Sequence, residues 1–183
     1  MSKKKGNKKI ASPLAYRSEE DRCYGLAGMT LALATVDAID TVVRVSVDEE
    51  GPMVLFSNEF FWGSSQAASP KAQWHKLMRN YQITISLVLS NVLARCLVRE
   101  NGADPTEMLH ALYPVIESEG KEVCELEEDE IRSFYENSLM KAHRTFGNPR
   151  LRPYVERLAD IITRRRTLTG REIAEELHAL HLI

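Results

Sequence analysis

The sequence lacks most of the features that mark secreted, membrane-spanning or motif-bearing proteins. Only three cysteines occur, Cys23, Cys96 and Cys124. Their odd number and wide spacing argue against a disulfide framework and fit a reducing, cytoplasmic compartment. No apolar run approaches the roughly 20 residues of a membrane-spanning helix, so no span is predicted. The first nine residues carry lysines with no apolar stretch behind them, which predicts no secretory signal. C-x-x-C, G-x-S-x-G, the Walker lysine loop, G-x-G-x-x-G and H-E-x-x-H are all missing, and with them the recognisable redox, hydrolase, nucleotide and zincin signatures. What remains is the balance of an ordinary globular domain, 44% hydrophobic and 27% charged over 183 residues. A chain of that length buries roughly 70% of its unfolded surface without a staple.

The net charge of −2 hides an asymmetry. Five of the 24 basic residues (Lys3, Lys4, Lys5, Lys8 and Lys9) lie in the first nine positions, leaving 19 against 26 acidic residues, a net of −7. Residues 1–12 therefore read as a disordered basic tail on an acidic domain spanning 13–183. A lysine tail can hold nucleic acid weakly by counterion release. The acidic body argues against a dedicated nucleic-acid binder.

Ser18-Glu19-Glu20-Asp21 has the form of a helix start, a capping serine followed by acids at the positive end of the dipole. The following stretch to about Ala38 is apolar almost all round, which predicts a central helix. Gly25 and Gly28 within it point to close helix packing. Thr41 to Val47 alternates, with Val43, Val45 and Val47 on one face and Arg44 and Ser46 on the other, and Met53 to Phe56 is a second short strand. Two strands alone are marginal, so this hairpin must lie on helices or recruit a third strand. Asn58 to Ser69 reads as a loop carrying the aromatic cluster Phe60, Phe61 and Trp62.

Ser69-Pro70 opens a long helix to about Arg99, closed by Asn101-Gly102. A further helix starts at Asp104-Pro105 and fades near Gly120. Three more span about 128–145, 150–165 and 170–181, separated by Phe146 to Pro149 and Thr167 to Gly170. The predicted fold is mainly α (α+β): a helical bundle with one small β-hairpin inserted after the first helix.

Candidate chemistry is sparse. His178 and His181 stand at i, i+3 on the last helix, a spacing that could share a metal, though amphipathic packing explains the same pattern. Cys23 lies four residues after Glu19, where a buried inert thiol is the commoner case. Eight acids between residues 117 and 130 lack the spacing and central glycine of a calcium loop. Arg164, Arg165 and Arg166 complement the negative end of their helix, with phosphate contact as the alternative.

The order of elements then carries a resemblance. Cys23-Tyr24-Gly25-Leu26-Ala27-Gly28-Met29-Thr30-Leu31-Ala32 looks like the A-Y-H-E-A-G-H-A helix of FtsH-type ATP-dependent zinc peptidases, keeping the Ala-Gly pair. Val42 to Val47 is similar to that family's V-x-x-V-T-I strand, and Leu89 to Leu97 to its L-G-G-R-A-A-E-x-L helix. Ala159 to Ile173, ending Thr167-Leu168-Thr169-Gly170-Arg171-Glu172-Ile173, looks like its A-x-x-L-L-x-x-E-T-L-x-G-x-E-I ending. The resemblance covers about residues 16 to 177 and implies an FtsH peptidase-like fold. It also places the lost chemistry. Gly25 stands where the first zinc histidine would be, Leu26 at the catalytic glutamate and Met29 at the second histidine. Asp104 is the one remnant of a third ligand. Zinc would be the family cofactor, yet one carboxylate cannot hold catalytic zinc, so no cofactor is expected.

Three functions compete on this reading. The first is a catalytically silent peptidase-like domain that binds a protein or peptide partner, with Phe60, Phe61 and Trp62 as rim candidates. The second is a hydrolase with nonstandard ligands drawn from Glu19, Glu20, Cys23, Asp104 or a histidine. The third is a nucleic-acid-associated protein using the lysine tail and Arg164 to Arg166. Homo-oligomerisation is plausible because peptidase domains of the family pack in rings.

Overall fold

A computed structural model describes residues 12–49, 51–62 and 69–182. Its first helix, α1 (Glu19–Thr35), begins where the sequence places it. The Ser18 hydroxyl accepts the Asp21 amide, and Glu19, Glu20 and Asp21 fill the first turn. Cys23, Leu26, Ala27, Leu31 and Leu33 are buried on several sides of the helix, as a central helix requires. It packs chiefly against α3 (Pro70–Leu93) and α6 (Arg152–Arg165). The glycines explain how close α3 comes. A Cβ on Gly28 would stand 2.4 Å from the Ser90 carbonyl oxygen, and one on Gly25 would stand 2.6 Å from the Asn91 amide nitrogen. Neither position has room for a methyl group.

After a short 3-10 turn come β1 (Val42–Ser46) and β2 (Val54–Phe56), paired antiparallel with Val45 opposite Val54. The simple alternation expected of β1 is broken. The register shifts between Val42 and Arg44, and this bulge leaves Val43 exposed while Val42, Val45 and Ser46 are buried. The hairpin does recruit a third strand. Thr167–Thr169, expected to be a separator, is β3, antiparallel to β1 with Leu168 opposite Val45. The strand order is β2-β1-β3. Thr169 then caps α7 (Gly170–Ala179) through a reciprocal pair with Glu172. One tripeptide thus serves as strand and helix cap together, and local pattern cannot separate those roles.

Three other boundaries differ from expectation. Asn58–Trp62, expected to be loop, forms a one-turn helix, α2. From Ala94 to Arg99, α3 continues as a π-helical turn, and Asn101 and Gly102 end it with positive φ. The next helix, α4 (Thr106–Cys124), does not fade at Gly120. That glycine is a packing residue, because a Cβ there would lie 2.5 Å from the Tyr81 hydroxyl. The acids that follow build the start of α5 (Glu128–Phe146), where Glu127 and Glu130 form a capping box.

Seven α-helices and a three-stranded antiparallel sheet thus stand among the described residues, a mainly helical fold with a small sheet. Buried apolar side chains from α1 through α7 join in one cluster. The helix Pro70–Arg99 is long and apolar enough to cross a membrane by length and composition, contrary to the sequence expectation. Of its most apolar window, 72% is buried against the rest of the chain.

Candidate functional site

α1 faces the second half of α3 and holds Gly25, Leu26 and Met29, three of the four positions where the resemblance would put chemistry. Leu26 is fully buried in the core. Gly25 gives its space to the Asn91 side chain. Met29 is half-buried, and its sulfur accepts a contact from the Asn91 amide at 3.5 Å. The same amide donates to the Tyr16 hydroxyl at 2.9 Å. Burial raises the Tyr16 phenol above its ordinary range despite that bond.

Beneath these residues lies a buried ion pair that sequence reading does not single out. Arg95, carried inward on the π-helical turn, meets Asp21 through two hydrogen bonds of 2.9 and 2.8 Å. Both residues are almost inaccessible, at 3% and 1% exposure. The guanidinium also donates to the carbonyls of Leu14 and Ala15, and its face lies 4.6 Å from the Tyr16 ring centre. Asp21 accepts the Arg17 amide as well, and Arg99 approaches at 3.6 Å. Burial alone would raise the Asp21 pKa. The Arg95 and Arg17 hydrogen bonds and the charges of Arg95 and Arg99 outweigh it and hold the carboxyl low. The sequence signal was present: between Arg79 and Arg99, Arg95 is the only charged residue. A lone charge in so apolar a helix requires a buried partner.

A small groove opens over this layer. Leu14, Tyr16, Met29, Met53, Val92 and Leu112 line it, and its volume is about 170 Å³. That is room for a side chain, not for a drug-sized ligand, which needs roughly 300 Å³ or more. Met53 immediately precedes β2, so the groove reaches the edge strand of the sheet.

The remaining candidates are dispersed. Asp104 is on the exposed connection between α3 and α4, where its carboxylate accepts the amide and hydroxyl of Thr106. Those bonds hold its pKa below the usual carboxylate range. Cys23 is fully buried in the core. Glu19 pairs with Arg166, and Glu20 with Arg99. His178 is on α7, whereas His181 lies beyond the end of that helix with φ of 55°, so the two share no helical face. Arg165 pairs with Glu172 and Glu176, and Arg166 with Asp48 and Glu19, so phosphate would have to displace carboxylates there.

Phe60 is buried and stacks on Phe56 with ring centres 4.0 Å apart, while Phe61, edge-on to it, is 58% exposed. Trp62 ends α2. Lys3, Lys4, Lys5, Lys8 and Lys9 lie outside the described residues.

As donors, Gly25, Leu26, Met29 and Asp104 do not make a zinc site. They offer no imidazole, one thioether already engaged with an amide, and one carboxylate bound to its own turn. Among the described residues, no group of three His, Cys, Asp or Glu side chains is placed to hold a metal.

No family model, curated protein or solved structure matches the chain. The functional reading therefore rests on these side chains alone.

Proposed function

We propose that this chain is a catalytically silent, FtsH peptidase-like domain that binds an extended polypeptide segment of a protein partner. The observation that carries the reading is the groove between Met29 on α1 and Met53 at the start of β2. It sits beside the positions that resemble the peptidase motif, and it is walled by flexible, polarizable thioethers and apolar side chains. The outer edge of β2 pairs with no strand among the described residues. Met53 offers its carbonyl to Ser46 on β1, and Ser57 donates to Thr41. By alternation, the backbone groups of Val54 and Phe56 then face away from β1. An edge of this kind takes a further strand, and the neighbouring pocket takes one apolar side chain. Phe61, on α2 shortly after β2, is an exposed aromatic available to the same partner.

The test is fluorescence anisotropy with a labelled, leucine-rich octapeptide, alongside a proline-interrupted control. Saturable binding of the first, abolished by Met53→Lys with the circular dichroism spectrum unchanged, is the expected result. Equal binding of both peptides, or of wild type and variant, would refute strand addition. In parallel, protein purified without a histidine tag and dialysed against metal-free buffer is expected to carry no stoichiometric zinc. One tightly held zinc per chain would replace the silent reading with a hydrolase of nonstandard ligands.

A further inference from the structure

The opposite end of α1 holds a larger cavity, of about 420 Å³, between the last turn of α1, the stretch of α3 from Arg79 to Ser90 and the end of α5. Three cations line it, Arg79, Lys141 and Arg144, and among the described residues no acidic side chain does. The domain carries an acidic excess, and arginines 17, 44, 95, 99, 132, 152, 165, 166 and 171 each meet a carboxylate. Arg79, Lys141 and Arg144 form no ion pair among the described residues; Arg79 donates only to the Asp37 carbonyl. Other cations, such as Arg22, Arg150, Arg157 and Arg164, also form no ion pair among the described residues, but these three share one cavity.

Helix ends account for only part of this charge: Arg144 stands in the last turn of α5 and Arg79 reaches the Asp37 carbonyl just beyond α1, whereas Lys141 lies further back along α5. The final carbonyls of α1 are already capped by the amides of Val36, Asp37 and Ala38 and by the Thr35 hydroxyl. The end of α5 is capped by Gly147. A second observation points inward. Ser138 lines the cavity at 3% exposure, and its hydroxyl has no hydrogen-bond partner among the described residues. A buried hydroxyl left unpaired is unfavourable unless a ligand or water completes it. Ile83, Ala142 and Phe146 supply an apolar wall.

We infer that this cavity binds a small phosphate monoester, its phosphate held by Arg79, Lys141 and Arg144 and its organic body set against Ile83 and Phe146. Three cations without a counter-charge match a group carrying nearly two negative charges better than a single carboxylate. The volume is that of a small-molecule site, within the roughly 300–1,000 Å³ typical of such pockets.

The test is isothermal titration of the full chain with phenyl phosphate and AMP, with phenol, adenosine and inorganic phosphate as references. At least one ester is expected to saturate at one per chain and to bind more tightly than its parent alcohol and than inorganic phosphate. The double charge reversal Lys141→Glu with Arg144→Glu should weaken it by about tenfold or more, and Ser138→Ala by several-fold. Lys71→Glu, on the same helix as Arg79 but outside the cavity, should leave affinity unchanged. Ser138→Ala also guards against misfolding, because losing an unpaired hydroxyl should raise the melting temperature while affinity falls. If neither ester saturates, if the parent alcohols bind equally well, or if charge reversal leaves affinity intact, the inference is overturned.

Discussion

The two ends of α1 both gather basic side chains from distant helices and reach opposite electrostatic states. At its start, Asp21 and Arg95 are buried together, with Arg17, Glu20, Arg99 and Glu100 paired around them. At its end, Arg79, Lys141 and Arg144 line a cavity with no carboxylate among the described residues. The first arrangement fixes structure: every donor near Asp21 is committed, and little charge remains for a ligand. The second leaves charge and a buried hydroxyl uncommitted, which suits a site. Where each basic side chain finds a carboxylate, and where it finds none, distinguishes the two.

Removing one member of the buried pair should have the largest effect. Arg95→Met leaves the Asp21 carboxylate uncompensated and should lower unfolding free energy in urea by about 3–5 kcal/mol. Adding Asp21→Leu should restore much of the loss, since the apolar replacement needs no partner. A double variant no more stable than the single one would show that the pair does more than satisfy itself. The pair also sets an acid limit. The Asp21 pKa is depressed in the fold, so its contribution is fully present above the unfolded value near 3.8. It is lost as pH falls through the lower folded value. Arg95→Met should flatten that acid limb in pH-dependent melting.

A smaller effect comes from the helix contact that positions both ends. Gly28→Ala drives a methyl group into the Ser90 carbonyl, which belongs to the backbone and cannot swing aside. It should cost about 1–3 kcal/mol. Gly25→Ala meets only the Asn91 side chain and should cost less, as chemical denaturation of the two variants would reveal. Arg166→Ala removes a solvent-screened clamp between Glu19 and Asp48 and should lower the melting temperature only slightly. Smallest of all, Lys141→Glu at the open end should change stability by no more than about 0.5 kcal/mol. A large loss there would mean that Lys141 is structural after all and would erase the contrast.

Much of the fold was legible because it follows from local rules. Ser18 before three acids and Ser69 before Pro70 each fixed a helix start to within a residue. The unbroken apolar surface around α1 marked it as central, and Gly25 and Gly28 announced the close packing now visible against α3. β3 was not legible, because Thr167-Leu168-Thr169 becomes a strand only when β1 lies alongside to accept it. The bulge at Val43 and the helical persistence through Gly120 are likewise set by partners distant in sequence. The candidate site was half legible. Met29 was singled out through a resemblance. The Asp21–Arg95 pair and the cationic cavity bring together residues 74 positions apart in one case and three helices in the other.

The starts of α1 and α3, the central place of α1, the first two strands and the absence of recognisable catalytic motifs follow from the sequence by itself. All of these depend on side-chain period, capping and composition within a dozen neighbouring residues. Tertiary structure alone decided which charges are spent and which are free. Pairing between helices depends on crossing geometry and on a π-helical turn that redirects Arg95 inward, and neither leaves a trace in local pattern.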